Sequence, residues 1–165
     1  MTNYTKPFRF NIVLNSKNSA SSPFVDTTDV LYGFNWTNIP QGKYQMQFSW
    51  LGENNSDYVA NDCPAIFLSL GTVPSVYQAN GTTSSNVSTY IGSLRAQTHA
   101  AGQVGFYANT TDNPEIYYNN LPTSGPIRVQ VFRSDFTTPF TTVTGGLDIA
   151  DYVMVLTFKK VGDNI

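Results

Sequence analysis

The chain has 165 residues, a formal net charge of −2 at pH 7, and a charged fraction of only 12%. Its nine basic residues are scattered, so nothing indicates a surface for the phosphate backbone of a nucleic acid. Cys63 is the only cysteine, which excludes an intrachain disulfide, and no apolar run is long enough for a transmembrane helix. We therefore expect one domain over residues 1–165, with no membrane span and no direct nucleic-acid partner.

The first three predicted strands follow from apolar residues that recur at every second position. They cover residues 8–14, 30–36 and 44–50. Residues 38–42 separate the last two strands, and within them Pro40 cannot donate to a strand ladder while Gly42 can adopt a positive φ. We therefore predict a strand, a tight turn and a strand at the centre of an antiparallel core, with both tryptophans facing inward.

Five further strands complete the prediction. They cover residues 65–70, 87–95, 103–109, 127–132 and 151–161. Residues 111–122 are predicted to form a crossing loop with a short extended piece, and residues 134–150 form a long Thr-rich loop. Loops of that length are uncommon in compact domains unless they have a function.

The same alternation predicts the core. Its members are Phe10, Ile12, Phe34, Trp36, Tyr44, Met46, Phe48, Ile66, Leu68, Val129, Val131, Met154, Leu156 and Phe158. Eight short strands without an amphipathic helix are typical of an all-β, eight-stranded jelly-roll β-sandwich. The competing fold is an immunoglobulin-like sandwich, whose antibody-type members need a Cys-Trp-Cys spacing that one cysteine cannot provide.

Several short motifs follow one another in an informative order. An alternating strand at residues 9–14 precedes Phe34-Asn35-Trp36, then the pattern Ile39-Pro40-x-Gly42-x-Tyr44-x-Met46-x-Phe48, and finally a closing strand at residues 151–158. This order resembles the small single-jelly-roll capsid proteins of large double-stranded DNA viruses of protists and algae. The segment Asp112-Asn113-Pro114 is also similar to that group.

The resemblance implies a structural role and no catalytic residues. The implied protein is a vertex (penton) subunit, or a minor or cement protein beside the major capsid protein of the same virion. It would be made in the host cytoplasm and located in the capsid. The chain departs from a typical penton because nothing in it indicates a second, outward-projecting domain.

The sequence offers little for catalysis. His99 is the only histidine, and no Gly-x-Ser-x-Gly elbow is present to supply a nucleophile beside it. No group of His and Cys residues has the spacing of a zinc site. We therefore predict a protein that is not an enzyme and holds no cofactor or metal, with His99 at a surface or an interface.

Aromatic residues make up 14% of the chain, which raises a second hypothesis. Exposed tyrosines can stack on sugar rings, so the chain could be a carbohydrate-binding, lectin-like β-sandwich module. Its candidate residues are Tyr58, Tyr77, Tyr107, Tyr117 and Tyr118. The structural interpretation is that these rings pack loop ends or fill subunit interfaces, where an apolar ring with a polar hydroxyl is favoured.

The long connections at residues 71–86, 109–125 and 134–150 contain no basic residue. Because they carry little charge, they can be buried against a neighbouring subunit. We expect a closed homo-oligomer, a homopentamer first and a homotrimer second, since a ring leaves no open end. The predicted interface residues are Tyr77, Tyr117, Tyr118, Phe136 and Phe140.

Overall fold

The computed structural model describes residues 7–16, 29–54, 64–71, 89–98, 104–136 and 152–163. These residues form ten β-strands and no α-helix. The strands are β1 (Arg9–Asn15), β2 (Asp29–Tyr32), β3 (Lys43–Asn54), β4 (Ala65–Leu70), β5 (Thr89–Ser93), β6 (Arg95–Thr98), β7 (Val104–Ala108), β8 (Ile116–Tyr118), β9 (Ile127–Phe132) and β10 (Tyr152–Gly162). Within this part of the chain, no helix has the length and apolar character needed to cross a membrane.

The strands form two antiparallel sheets. The large sheet has the order β1-β10-β3-β7-β6. β8 also belongs to it: β8 pairs with the first part of β3, and β7 pairs with the last part of the same strand. The small sheet has the order β2-β9-β4-β5. The prediction of an all-β chain built from two antiparallel sheets is therefore confirmed, whereas the described residues contain ten strands instead of the eight predicted.

One hydrophobic core joins the inner faces of both sheets. Its buried side chains come from the large sheet, such as Met46 and Leu156, and from the small sheet, such as Leu68 and Val129. All the predicted core residues are buried except Phe10 and Phe34, which pack against the core while remaining partly exposed. The period-2 interpretation of these strands is confirmed, because alternate side chains of a strand must point to opposite faces.

The predicted hairpin of residues 30–36 and 44–50 is wrong. β2 ends at Tyr32 and pairs with β9 in the small sheet, while β3 lies in the large sheet, so the chain crosses between the sheets from Gly33 to Gly42. Trp36 nevertheless faces inward, and its Nε1 donates a hydrogen bond to the carbonyl of Gly125 at 2.9 Å. The alternation correctly predicted which side chains of each segment face inward, but it could not predict which strand each segment pairs with.

The predicted strand at residues 87–95 corresponds to β5, which ends at Ser93, and a further strand that was not predicted, β6, begins at Arg95 and continues to Thr98. Within the described residues, β5 pairs with β4 in the small sheet, and β6 pairs with β7 in the large sheet. The change occurs at Leu94, whose buried side chain joins the core and whose N–H donates to the carbonyl of Pro64 at 2.8 Å. The short extended piece predicted within residues 111–122 is also present, as β8. These two segments account for the additional strands.

Polar contacts between aromatic residues connect the sheets at one end of the core. The hydroxyl of Tyr32 on β2 donates to the hydroxyl of Tyr152 on β10 at 2.9 Å. The Tyr152 ring stacks on Trp50 of β3 with ring centroids 3.8 Å apart. The backbone N–H of Tyr152 donates a hydrogen bond to Oγ of Ser16. A buried polar group is costly without such a partner, so these contacts fix how the sheets lie against each other.

Candidate functional site

The predicted interface residues lie in different environments. Tyr117 and Phe136 are each 38% exposed, whereas Tyr118 is only 2% exposed. Because Tyr118 pairs with Tyr44 and Tyr117 with Gln45, the alternation of β8 turns the first ring into the core and the second outward. The prediction that Tyr118 lies at an interface is wrong, since its ring is filling the core of its own subunit.

Several other predictions fall outside the described residues. Among them are Tyr58, Tyr77, Phe140, His99 and Cys63. The sugar-stacking candidate Tyr107 is described: it lies on β7 opposite Leu51 and is partly exposed. In the part of the chain that is described, no group of three or more His, Cys, Asp or Glu side chains could hold a metal ion. The candidate sites among the described residues are therefore the outer faces of the two sheets.

The open face is defined here as the part of the large sheet's outer face on β1, β10 and β3, bordered beyond β3 by Tyr107 and Tyr117. It consists of the side chains that alternate with the core residues of these three strands. They are Arg9, Asn11, Val13, Val153, Val155, Thr157, Lys159, Lys43, Gln45, Gln47, Ser49 and Leu51. At one end Arg9 lies directly opposite Lys159, which lies opposite Gln45. Lys43 is two residues from Gln45, so three basic side chains share this end.

The opposite end of the open face is apolar. Val13 lies opposite Val155, and Val153 lies opposite Leu51. Val13 is 64% exposed and Leu51 is 70% exposed, so neither is buried by the described part of the chain. Between the two ends lie the amides and hydroxyl of Asn11, Thr157 and Gln47. The face therefore changes from cationic through polar to apolar along the strand direction.

The outer face of the small sheet, here called the covered face, includes Asp29, Leu31, Phe67, Tyr90, Arg128, Gln130, Phe132 and Phe136, of which Leu31 remains 39% exposed opposite Arg128. Phe67 lies outside the main core cluster, yet it is only 3% exposed. Three aromatic rings cover it, with centroids at 5.6 Å for Tyr90, 5.2 Å for Phe132 and 5.7 Å for Phe136. This face thus contains a small second core.

The backbone at Phe136 is part of this arrangement. Phe136 has a φ of 60°, a left-handed conformation that is uncommon for a bulky residue. Its N–H donates to the carbonyl of Arg133 at 2.9 Å, which closes the turn after β9. The turn returns the ring to Phe67 and to Tyr90, whose centroid lies 5.0 Å away. The contacts with these rings compensate for the unfavourable backbone conformation.

The charges of the covered face are paired. Arg128 donates from Nε to Oδ1 of Asp29 at 2.7 Å and from Nη2 to Oδ2 at 2.6 Å. Gln130 Nε2 donates to the same Oδ2 at 3.3 Å. The hydrogen bonds that Arg128 donates to Asp29, aided by the charge of that carboxylate, raise the pKa of Arg128 against the opposing effect of burial. A bidentate pair of this kind is geometrically specific, and it leaves little charge free for a ligand.

The loop before β8 is fixed to the edge of the small sheet. Oδ1 of Asn113 accepts a hydrogen bond from the N–H of Ser93 at 3.0 Å. Gly92, at a bulge in β5, has a φ of 148°, and a Cβ there would overlap the Asn113 side chain. Glycine is therefore required at this position by both the conformation and the close approach of the loop.

Four core tyrosines have pKa values above the usual range, and burial is the main cause for each: Tyr32, Tyr44, Tyr118 and Tyr152. Burial raises the pKa of Tyr32 to about 12, against the opposing effect of its hydrogen bond to Tyr152. Burial also raises the pKa of Tyr152 and of Tyr118, and the neighbouring Tyr32 raises that of Tyr152 further. The Tyr118 hydroxyl has no hydrogen-bond partner among the described residues. These phenols remain protonated at neutral pH.

Comparison of the chain with protein-family models, with curated proteins and with solved structures found no match. The geometry of the described residues therefore carries the functional argument.

Sequence reasoning missed the cationic end of the open face and the burial of Phe67. The facing of the basic residues could have been found, because Arg9, Lys43 and Lys159 occupy the positions between core residues. The proximity of these residues could not have been predicted, because only the pairing of the first and last strands brings Arg9 and Lys159 together.

Proposed function

We propose that the chain is a structural subunit of an icosahedral viral capsid, built as a single jelly roll. The observation that carries this proposal is the nesting of strand pairs. β1 pairs with β10, β2 with β9, β3 with β7, and β4 with β5. With β6 and β8 set aside as local additions, this nesting supports the proposed jelly roll, in which a long antiparallel ribbon is wound into two four-stranded sheets.

The composition of the surface supports a static assembly. A charged fraction of 12% gives weak long-range repulsion between copies, which suits subunits that pack permanently against neighbours. Tyr117 and Phe136 lie on separate connections and expose part of their rings. We propose that these rings contribute to contacts within a homopentamer, or alternatively a homotrimer, at a vertex or at a minor or cement position beside the major capsid protein.

Light scattering of the purified chain tests this proposal. The parent chain should have the mass of a closed ring, and Tyr117→Asp combined with Phe136→Asp should give folded monomers, because each new carboxylate would be buried without a partner. Leu31→Asp is the matched control, since Leu31 is a comparably exposed apolar residue on a strand. A monomeric parent chain at high concentration, or a ring that survives both changes, would contradict the proposed interface.

A carbohydrate-binding module is the second candidate, and one observation favours it. The exposed Tyr117 hydroxyl donates to Oε2 of Glu115 at 2.8 Å, which places a carboxylate beside an accessible aromatic ring. Sugars are bound by this combination of a stacking surface and a hydrogen-bond acceptor. A glycan array with the isolated chain separates the two functions: specific binding that Tyr117→Ala abolishes supports the module, and an empty array supports the capsid subunit.

A further inference from the structure

The basic end of the open face contains three cations that lack an ion-pair partner among the described residues. Arg9, Lys43 and Lys159 have no described carboxylate within the 4.0 Å of a salt bridge. Among the described acidic groups, Asp163 pairs with Lys160, and Glu115 accepts a hydrogen bond from Tyr117. The Lys160 ammonium lowers the pKa of Asp163, so this carboxylate stays ionised and bound to that lysine.

The arrangement of these cations is unfavourable for the isolated chain. Arg9 and Lys159 are directly opposite each other on adjacent antiparallel strands. Side chains at such positions have Cβ atoms about 4.5–5.5 Å apart, and like charges there destabilise the sheet. Lys43 lies on the same side of β3 as Gln45, the residue opposite Lys159, and is paired with Gly162 beyond a bulge in β10. An anionic group placed over this end would relieve the repulsion.

The remainder of the open face limits what the anionic partner can be. Val13 lies four residues along β1 from Arg9, about 13 Å in extended chain, and Val153, which is opposite Leu51, lies six residues along β10 from Lys159, about 20 Å. A nucleic acid lying along the face would bring phosphates against these exposed apolar side chains and lose their hydration. A partner with carboxylates at one end and apolar side chains at the other fits both ends.

A second copy of the same face does not have that chemistry. In a two-fold pairing of open faces, the cations of one copy meet either the cations or the apolar end of the other. Neither contact supplies a carboxylate, because no Asp or Glu occupies the outward positions from Arg9 to Val13, from Val153 to Lys159 or from Lys43 to Leu51. The complementary surface therefore belongs to a different sequence.

We propose that the open face binds an extended, acidic-to-apolar polypeptide segment of a partner protein, laid along the strands with its carboxylates over Arg9, Lys43 and Lys159 and its apolar residues over Val13, Val153 and Leu51. This binding goes beyond the capsid proposal and does not depend on it, since it needs only the fold of one chain.

The test is fluorescence anisotropy with the full chain and a labelled peptide, Glu-Glu-Glu-Ser-Ser-Ser-Val-Leu-Val, whose acidic and apolar ends match the spacing of the face. A peptide of the same composition in scrambled order, and an oligothymidylate, serve as comparison probes. The ordered peptide should bind most tightly, and added salt should weaken it. Arg9→Gln combined with Lys159→Gln should lower its affinity about tenfold, and Leu51→Asn should lower it a few-fold.

Two controls separate binding from folding. Arg133→Gln removes one positive charge outside the open face and should leave the affinity unchanged. The Arg9→Gln and Lys159→Gln double variant should melt at a temperature no lower than that of the parent, because it removes a repulsive pair. Absence of peptide binding at low salt, equal binding of the scrambled peptide, or tighter binding of the oligothymidylate would each overturn the proposal, the last in favour of a nucleic acid. The oligomeric mass measured by light scattering tests the proposed capsid subunit, and it does not depend on any of these three outcomes.

Discussion

The two outer faces of the sandwich are built from the same alternation of side chains but use their outward positions differently. On the covered face, Phe67 is enclosed by other rings and Arg128 is held by both oxygens of Asp29. On the open face, Leu51 is exposed and Lys159 lies opposite Arg9. On the covered face, the large apolar ring of Phe67 is enclosed and the charge of Arg128 is paired within the chain. On the open face, apolar side chains and positive charges remain available to a partner. The contrast indicates that outward residues of a sheet must be judged by their neighbours and not by their type.

The largest expected effect compares the two faces directly. Phe67→Ala should reduce the free energy of unfolding by about 3 kcal/mol, as for a core residue, because it leaves a cavity among three rings. Leu51→Ala, a change of similar kind on the open face, should alter it by less than about 0.5 kcal/mol. Urea unfolding followed by fluorescence measures both. Equal costs for the two variants would show that the covered face is not a second core.

Alkaline titration examines the core between the faces. The pKa of Tyr32 rises from 10.0 to about 12 on folding, and that of Tyr152 also rises, so the folded chain holds these protons more tightly than the unfolded chain. Their contribution to stability is complete below pH 10.0 and is lost as the pH rises through the folded pKa. Each such tyrosine should lower the unfolding free energy by about 1.4 kcal/mol per pH unit above its unfolded pKa.

Melting temperatures measured from neutral to strongly alkaline pH check this expectation. The variant with Tyr32→Phe and Tyr152→Phe should show a shallower decline than the parent chain, because it lacks two of the titrating groups. An identical decline in both proteins would mean that other groups, and not this pair, determine the alkaline limit.

A third prediction concerns how the covered face is anchored at its edge. Gly92→Ala should cost about 1–3 kcal/mol, because the new methyl group meets Asn113 and the backbone conformation disfavours a side chain. Asn113→Ala in the same chain should recover part of that cost, since it removes the overlapping side chain. A double-mutant cycle with urea unfolding measures the coupling. Additive costs would show that the backbone conformation alone requires glycine.

The smallest expected effect has opposite signs on the two faces. Lys159→Gln on the open face should raise the unfolding free energy by about 0.2–1 kcal/mol, because it removes a cation opposite Arg9. Arg128→Gln on the covered face should lower it by up to about 1 kcal/mol, since the pair with Asp29 is partly solvent-exposed. Both variants lose one positive charge, so a difference in sign reports the local environment. Two changes of the same sign would remove the contrast between the faces.

The sequence by itself determined where most strands lie and which side chains face inward. Residues 65–70 and 127–132 were predicted with the bounds that β4 and β9 have, and the alternation within β3 and β10 identified buried residues such as Phe48 and Leu156. These features are local, because the facing of a side chain in a strand depends only on whether its position is odd or even. The same rule placed Arg9, Lys43 and Lys159 on an outer face.

Only the tertiary structure decided which strands pair and what their side chains then meet. In the structure, β2 pairs in the small sheet and not with β3, and the side chain of Tyr118 lies in the core. The tertiary structure also brought Arg9 beside Lys159 and enclosed Phe67 with Phe136. Strand pairing joins segments that are distant along the chain, and the period of two that fixes facing is the same in every strand, so it contains no information about partners.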